Sequence, residues 1–232
     1  MGGYVGSSET WASFNRCWRA QLDRTDGIGS FHAVDYFGSK GGWERFSPRE
    51  GRAHLRGFIE VIRQHRLHAW LVSWKIRHYL ACFRDSRSAT RGEKRLTTPH
   101  AIGACYLLAK VLNDNQGLGH LPLSLQPIFD GHQQSGQAVR AAFRNEIKPA
   151  LDQNFEFTEF LLDPVWKVGS EKCGHFGLQA ADLLVWHERR SRLRDKRRVP
   201  PLLEHLRRAS SRYPRTLSKA QLERYANLVF GT

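Results

Sequence analysis

The sequence has few cysteines, and none of them is spaced like the ligands of a zinc site or the thiols of a redox motif. Its 232 residues include four cysteines, which lie far apart in the chain: Cys17, Cys82, Cys105 and Cys173. Scattered cysteines of this kind predict reduced thiols rather than disulfides or metal ligands. We therefore expect a cytoplasmic protein rather than a disulfide-stabilised secreted one.

Long hydrophobic runs are also missing. The most apolar stretch, residues 101–112, is interrupted by Lys110 and has the periodicity of an ordinary helix. A membrane-spanning helix needs about 20 consecutive apolar residues, so no membrane segment is expected. Residues 1–6 contain no basic segment followed by an apolar one, and no secretion signal is expected either.

Several common catalytic motifs do not occur in the chain. It has no Gly-x-x-x-x-Gly-Lys phosphate loop, no dinucleotide-binding glycine motif, no Gly-x-Ser-x-Gly and no His-Glu-x-x-His. These motifs mark nucleotide-binding enzymes, serine hydrolases and zinc peptidases. Their absence argues against those reaction classes.

Positive charge, in contrast, is abundant. The chain has 36 Lys and Arg against 22 Asp and Glu, which gives a net charge of +14. This excess predicts a polyanionic partner such as nucleic acid, although a basic balance can also serve solubility alone. The basic segments 84–95 and 189–198 are expected to contact phosphates, which would make binding dependent on salt.

Helical and strand-like periodicities alternate along the chain, which predicts an α/β domain with a mixed central sheet flanked by helices. Residues 30–37 are predicted as a short extended piece and residues 38–43 as a flexible loop. Residues 85–98 and the segment holding Lys167, Ser170 and Lys172 are predicted as loops. Helices are predicted at about residues 8–26, 48–65, 98–113, 135–151, 177–190, 202–209 and 219–228, and strands at 3–5, 68–74, 122–131 and 155–162.

The predicted helix at residues 177–190 is apolar nearly all round and has Asp182 in its middle. An ionised carboxylate among leucines costs several kcal/mol unless a cation, a metal or hydrogen-bond donors compensate it. Gln179 and Trp186 flank Asp182 on the same stripe, which leaves room for a polar cleft. Asp182 could therefore hold a metal ion, or it could pair with a buried arginine or cap neighbouring backbone.

Three further polar residues are candidates for a site. Asp130 ends the predicted strand at 122–131, and ligands of open α/β sheets bind at the carboxyl ends of strands. His32 and Asp35 are polar residues in aromatic surroundings, which suits a site but also suits side chains that satisfy loop backbone groups. Carboxylates from separate elements can hold two Mg²⁺ ions about 4 Å apart for phosphoryl transfer. By spacing alone, these acids are weak support for such a site.

Four segments carry a family resemblance: Gly3-Tyr4-Val5, Trp11-x-x-Phe14-x-x-x-Trp18, Phe31-His32-Ala33-x-Asp35-x-Phe37 and Leu178-Gln179-Ala180-Ala181-Asp182-Leu183-Leu184. Together they resemble the bacterial family called domain of unknown function 3800 (DUF 3800), over about residues 3–190. The resemblance implies a ribonuclease H-like fold and a metal-dependent nuclease site. It assigns Asp130 and Asp182 as metal ligands and places His32 and Asp35 along the same cleft.

The chain departs from that family at its start. Members usually have an Asp-Glu-Ser-Gly strand a short way upstream of the Gly-Tyr-Val segment, and its first Asp is the expected central metal ligand. This tetrapeptide does not occur here. We therefore expect a ribonuclease H-like domain at residues 1–190 that lacks its first strand, followed by a basic C-terminal extension at residues 191–232.

The resemblance and the charge together predict a nuclease-like protein that uses Mg²⁺ or Mn²⁺ to act on nucleic-acid phosphodiesters. In this prediction Asp130 and Asp182 hold the metal, and His32 and Asp35 assist catalysis. The alternative is a catalytically inactive nucleic-acid-binding or protein-interaction module with the same fold.

Overall fold

The structure, a computed structural model, describes residues 1–83, 98–117, 125–130, 140, 143–144, 148–149, 165–167, 174–192 and 214–230. These residues have a mixed α/β architecture. In chain order the elements are β1 (Gly2–Val5), α1 (Ser8–Asp23), α2 (Ala33–Gly38), a 3₁₀ helix (Trp43–Arg45), α3 (Pro48–His65), β2 (His68–Trp74), α4 (Ile76–Phe83), α5 (Pro99–Gly117), β3 (Ile128–Asp130), β4 (Val165–Lys167), α6 (Phe176–Arg192), β5 (Pro214–Leu217) and α7 (Lys219–Phe230).

The described strands form two small sheets. The first has three strands in the order β1-β2-β5, and β1 is antiparallel to β2, with Gly2 opposite Leu71 and Val5 opposite His68. The second pairs β3 with β4 in parallel, with Asp130 opposite Lys167. Lys167 therefore ends a strand rather than lying in the predicted loop, because Val165 N–H donates to the Pro127 carbonyl and starts the pairing.

The chain divides into two compact units, which are described separately. The first contains Gly2–Leu71 and Gly169–Pro214, and the second contains Met1, Val72–Val168 and Arg215–Thr232. The predicted division into residues 1–190 and 191–232 stays a prediction.

The core of the first unit is built from helices α1, α3 and α6. Ser7 caps α1 by accepting a hydrogen bond from the Thr10 N–H, and the helix buries Phe14, Trp18 and Leu22, which recur at every fourth position. Helix α3 begins and ends as predicted. Its buried face includes Leu55, Phe58, Ile59 and Ile62, which recur at helical spacing.

Aromatic rings fill the space between these helices. Phe31 is fully buried and lies against Phe58, with 4.9 Å between ring centroids. Trp18 packs against the same Phe58 ring at 4.8 Å. Edge and tilted ring contacts of this kind add to the free energy gained by burying apolar area.

The prediction of an extended piece at residues 30–37 is wrong for most of this range, where the structure has helix α2. His32 has an extended backbone, with φ −125° and ψ 124°, and the chain then turns into helix at Ala33. The local mixture of polar and aromatic residues did not reveal this turn, because the group that caps it comes from α6.

In the second unit, α5 begins where the sequence predicts, with Thr98 Oγ1 accepting from the Ala101 N–H at 3.2 Å. It extends to Gly117, beyond the predicted end at residue 113. Strand β3 keeps Asp130 at its carboxyl end but is only three residues long. Strand β5 was not predicted, whereas the predicted helix at 219–228 is confirmed as α7.

Some predictions fall wholly or largely outside the described residues. These are the loops at 85–98 and at Ser170 and Lys172, the helices at 135–151 and 202–209, the strand at 155–162 and most of the basic segments 84–95 and 189–198. Within the described part of the chain, no helix combines the length and the apolar character needed to cross a membrane.

Candidate functional site

Helix α6 directs two polar side chains, Gln179 and Asp182, toward the same stretch of chain. The spacing of three residues puts them on one face of the helix. Gln179 is 2% exposed, and its Oε1 accepts hydrogen bonds from Trp18 Nε1 at 2.9 Å and from the Phe31 N–H at 2.8 Å. Both donors are buried, so the Gln179 oxygen removes the cost of leaving them unpaired.

Asp182 binds the backbone at Ala33, two residues after the Phe31 N–H that Gln179 binds. Its Oδ2 accepts a hydrogen bond from the Ala33 N–H at 2.8 Å. Ala33 is the first residue of α2, and the N–H groups of a first helical turn lack acceptors within the helix. His32, at the N-cap position, makes no side-chain capping bond. Asp182 is therefore a cap supplied by another helix, and it also places negative charge at the positive end of the α2 dipole.

These hydrogen bonds fix the backbone on both sides of His32. Gln179 holds the amide before it and Asp182 holds the amide after it. Within the described residues, neither the His32 ring nor the Asp35 carboxylate has a hydrogen-bond or ion-pair partner, and both side chains are half-buried. The first unit thus brings together three of the four predicted site residues: His32, Asp35 and Asp182.

The Asp35 carboxylate lies over a glycine turn. A Cβ atom placed on Gly41 would lie 3.2 Å from Asp35 Oδ2, and Gly41 has φ +61°. A side chain at this position would meet both the carboxylate and an unfavourable backbone conformation. The glycine therefore leaves space beside the Asp35 oxygens.

The far end of α2 is held by ring stacking. Phe37 stacks on Trp186 of α6 with 3.5 Å between centroids and an angle of 3° between the rings. The Arg190 guanidinium lies 5.0 Å from the Trp186 ring, within range of a cation–π interaction. Gln179 and Trp186, beside which a polar cleft is predicted, both hold neighbouring elements, and the cleft stays a prediction.

Asp130 lies in the second unit, at the end of β3, and the structure describes only its backbone. Its predicted partnership with Asp182 in a metal site stays a prediction.

The donor set of the first unit is compatible with Mg²⁺. The carboxylates of Asp182 and Asp35 supply the oxygen ligands that this ion prefers, and Mg²⁺ is commonly held by one or two carboxylates together with water and substrate phosphates. A carboxylate has about four lone-pair sites, so Asp182 can accept more than the one bond from Ala33. No group of three or more His, Cys, Asp or Glu arranged to hold a metal occurs among the residues that can be described.

Gln179 has a larger role than its place in the sequence pattern indicates. The pattern marks it only as a neighbour of Asp182, whereas in the structure it joins α1, α6 and the segment before α2. The signal was available, because a glutamine in the middle of an apolar helix needs partners for the same reason as an aspartate.

Comparison with known proteins gives no match to a family model, to a curated protein or to a solved structure.

Proposed function

We propose that this protein is a metal-dependent, nuclease-like protein of the DUF 3800 type with a ribonuclease H-like fold. Its substrates would be nucleic-acid phosphodiesters. One observation carries most weight: Asp182 caps α2 beside two half-buried titratable side chains, His32 and Asp35, which have no partner among the described residues. Histidine and aspartate side chains commonly transfer protons in active sites.

The proposed roles combine the family resemblance with the contacts of the described residues. Asp182 and Asp130 would hold Mg²⁺ or Mn²⁺, as the family resemblance implies. A bound ion of this kind supplies charge stabilisation at the phosphoryl oxygens and a more acidic water. His32 donates or accepts a proton at its imidazole, and its backbone is kept in place by the bonds to Phe31 and Ala33. Asp35 orients water or substrate groups beside Gly41.

The composition supports a nucleic-acid substrate. A net charge of +14 attracts polyanions and raises their local concentration near the protein. This support concerns binding and not cleavage.

A second candidate function is a nucleic-acid-binding or interaction module without catalysis. It is favoured by the hydrogen bonds of Asp182 and Gln179, since capping α2 and satisfying Trp18 are sufficient reasons for polar residues in α6.

Cleavage assays separate the two candidates. Full-length protein is incubated with labelled DNA and RNA in the presence of Mg²⁺, Mn²⁺ or a chelator. The Asp182→Asn and Asp130→Asn variants are expected to lose cleavage by at least about 100-fold, because ligand removal weakens metal binding and activity. Asp23→Asn, an exposed acid paired with Arg19 on α1, serves as the control and should cleave normally.

Equal cleavage by wild type and Asp182→Asn would overturn the assignment of Asp182. Metal binding is measured separately by titration calorimetry, where Asp182→Asn should weaken Mn²⁺ binding and Asp23→Asn should not. A binding module would not cleave nucleic acid. Neither metal nor the Asp182→Asn substitution would change its affinity for nucleic acid.

A further inference from the structure

Helix α3 has an exposed face that is rich in arginine. Arg49, Arg52 and Arg56 are all exposed and follow one another at spacings of three and four residues. This spacing places them along one side of the helix. With a rise of 1.5 Å per residue, the three side chains leave the helix over a length of about 10 Å. We call these three residues the arginine face.

None of the three arginines of this face forms an ion pair with an acid of α3. Glu50 is bound to Ser47, accepting from its N–H at 2.9 Å and from its hydroxyl at 2.7 Å. Glu60 accepts two hydrogen bonds from Arg63, at 2.8 and 2.7 Å. Arg49, Arg52 and Arg56 have no ion-pair partner in the described parts of the chain.

The position of these arginines is unfavourable for the helix itself. Arg49 and Arg52 lie in the first two turns of α3, where the helix dipole already makes the potential positive. Solubility alone would be served equally well by arginines near the C-terminal end, where cations stabilise the helix. The arrangement therefore concentrates positive potential at one end of the face, which favours binding of an anion.

The arginine face lies next to α2. The ring of Tyr36 in α2 packs on Gly51 of α3, and a Cβ atom placed on Gly51 would lie 3.7 Å from Tyr36 Cε2. Burial raises the pKa of Tyr36, and the nearby charge of Arg52 opposes that shift. Arg52 is thus close enough to α2 for its charge to act on the helix that holds Asp35 and follows His32.

We propose that Arg49, Arg52 and Arg56 bind the sugar–phosphate backbone of a nucleic acid and hold it alongside α2. A duplex has one negative charge per 1.7 Å or so of its axis, so a stripe about 10 Å long meets several phosphates at once. Guanidinium groups suit this partner because they donate two parallel hydrogen bonds to a phosphate. The inference rests on the proposed function for the class of partner and is independent of cleavage.

The test is the salt dependence of binding, measured with a fluorescent duplex in chelator so that no cleavage occurs. The variant replaces Arg49, Arg52 and Arg56 by Gln, and the matched control replaces Arg16, Arg19 and Arg24, which are equally exposed. Both variants lose three positive charges. Each lost phosphate contact reduces the steepness of the plot of log affinity against log salt by about 0.9, so the first variant should have a slope about 2.7 shallower than wild type. Between 50 and 200 mM salt, the affinity of wild type should therefore fall about 40-fold more than that of this variant.

The slope of the control variant should differ from that of wild type by no more than about 0.9, the value of one phosphate contact. Equal slopes for the two variants would refute the proposed role of the arginine face in binding, whatever the cleavage assays show. If cleavage is never seen but the first variant loses the expected slope, the arginine face stands and the nuclease proposal fails. Binding of wild type to anionic lipid vesicles without binding to nucleic acid would also overturn the inference. Circular dichroism confirms that both variants are folded.

Discussion

Asp182 and Ala33 are joined by a hydrogen bond of 2.8 Å between a carboxylate oxygen and a backbone amide that lie 149 residues apart in the chain. The bond needs an oxygen acceptor at residue 182 but not a negative charge. A metal ion, in contrast, needs the charge. The two possible roles of Asp182 can therefore be separated by a substitution that keeps the oxygen and removes the charge.

Asp182→Asn should keep the cap on α2, because the amide oxygen can still accept a hydrogen bond from the Ala33 N–H. Its free energy of unfolding should therefore lie within about 1 kcal/mol of the wild-type value. Asp182→Ala removes the acceptor and should lower the free energy of unfolding by about 1–2 kcal/mol. Urea denaturation measures both. The nuclease proposal requires that Asp182→Asn is folded and inactive. An Asn variant as unstable as the Ala variant would contradict the role of the oxygen.

Elements with strong local signals were predicted well. Helix α3 follows from Ser47, Pro48 and Glu50, which form a capping box with proline in the first turn, and from the regular apolar positions that follow. These signals act over a few residues, so the sequence alone determines where the helix begins.

Helix α2 could not be predicted in the same way. Its N-cap residue, His32, makes no side-chain capping bond, and the cap comes from Asp182. A contact between such distant residues leaves no trace in a local pattern. Strands β4 and β5 were missed for the related reason that short strands depend on pairing partners elsewhere in the chain.

The candidate site was predicted in part. Asp182 was identified because a carboxylate in an apolar helix requires compensation, and a compensating group was found. That group is the Ala33 N–H. Every residue except proline has a backbone N–H, so the sequence does not show which of them binds Asp182.

Gln179→Met should destabilise the protein while preserving side-chain volume. The change leaves Trp18 Nε1 and the Phe31 N–H without their shared acceptor in a buried place. Each unpaired buried donor costs about 1–3 kcal/mol, so the two together should lower the free energy of unfolding by about 2–6 kcal/mol. Gln64→Met is the control, since Gln64 is exposed and bonds only Glu60. A Gln179→Met variant as stable as this control would show that the donors have other acceptors.

Ser47→Ala should destabilise α3 by about 1 kcal/mol at neutral pH. Hydrogen bonds from Ser47 lower the pKa of Glu50, and a lowered pKa stabilises the fold above the ordinary pKa and loses this effect as pH falls through the folded value. The difference in free energy of unfolding between wild type and Ser47→Ala should therefore be smaller at acid pH. Ser218→Ala is the control, because Ser218 pairs with the non-titrating Gln221. Denaturation at pH 7 and pH 3 measures both gaps; a Ser47 gap that does not change would refute the coupling.

Tyr4→Phe should make the protein more resistant to alkali. The Tyr4 hydroxyl is buried without a hydrogen-bond partner among the described residues, and burial raises its pKa far above the ordinary range. In the unfolded chain the phenol ionises near pH 10, so wild type should lose stability as the pH rises above about 10, while the variant loses none from this group. At pH 7 the variant should match wild type or exceed it by about 1 kcal/mol, since an unpaired hydroxyl is costly to bury. Tyr106→Phe in the second unit controls for loss of a hydroxyl. If wild type and Tyr4→Phe lose stability in parallel between pH 7 and pH 11, Tyr4 is not the group that limits stability in alkali.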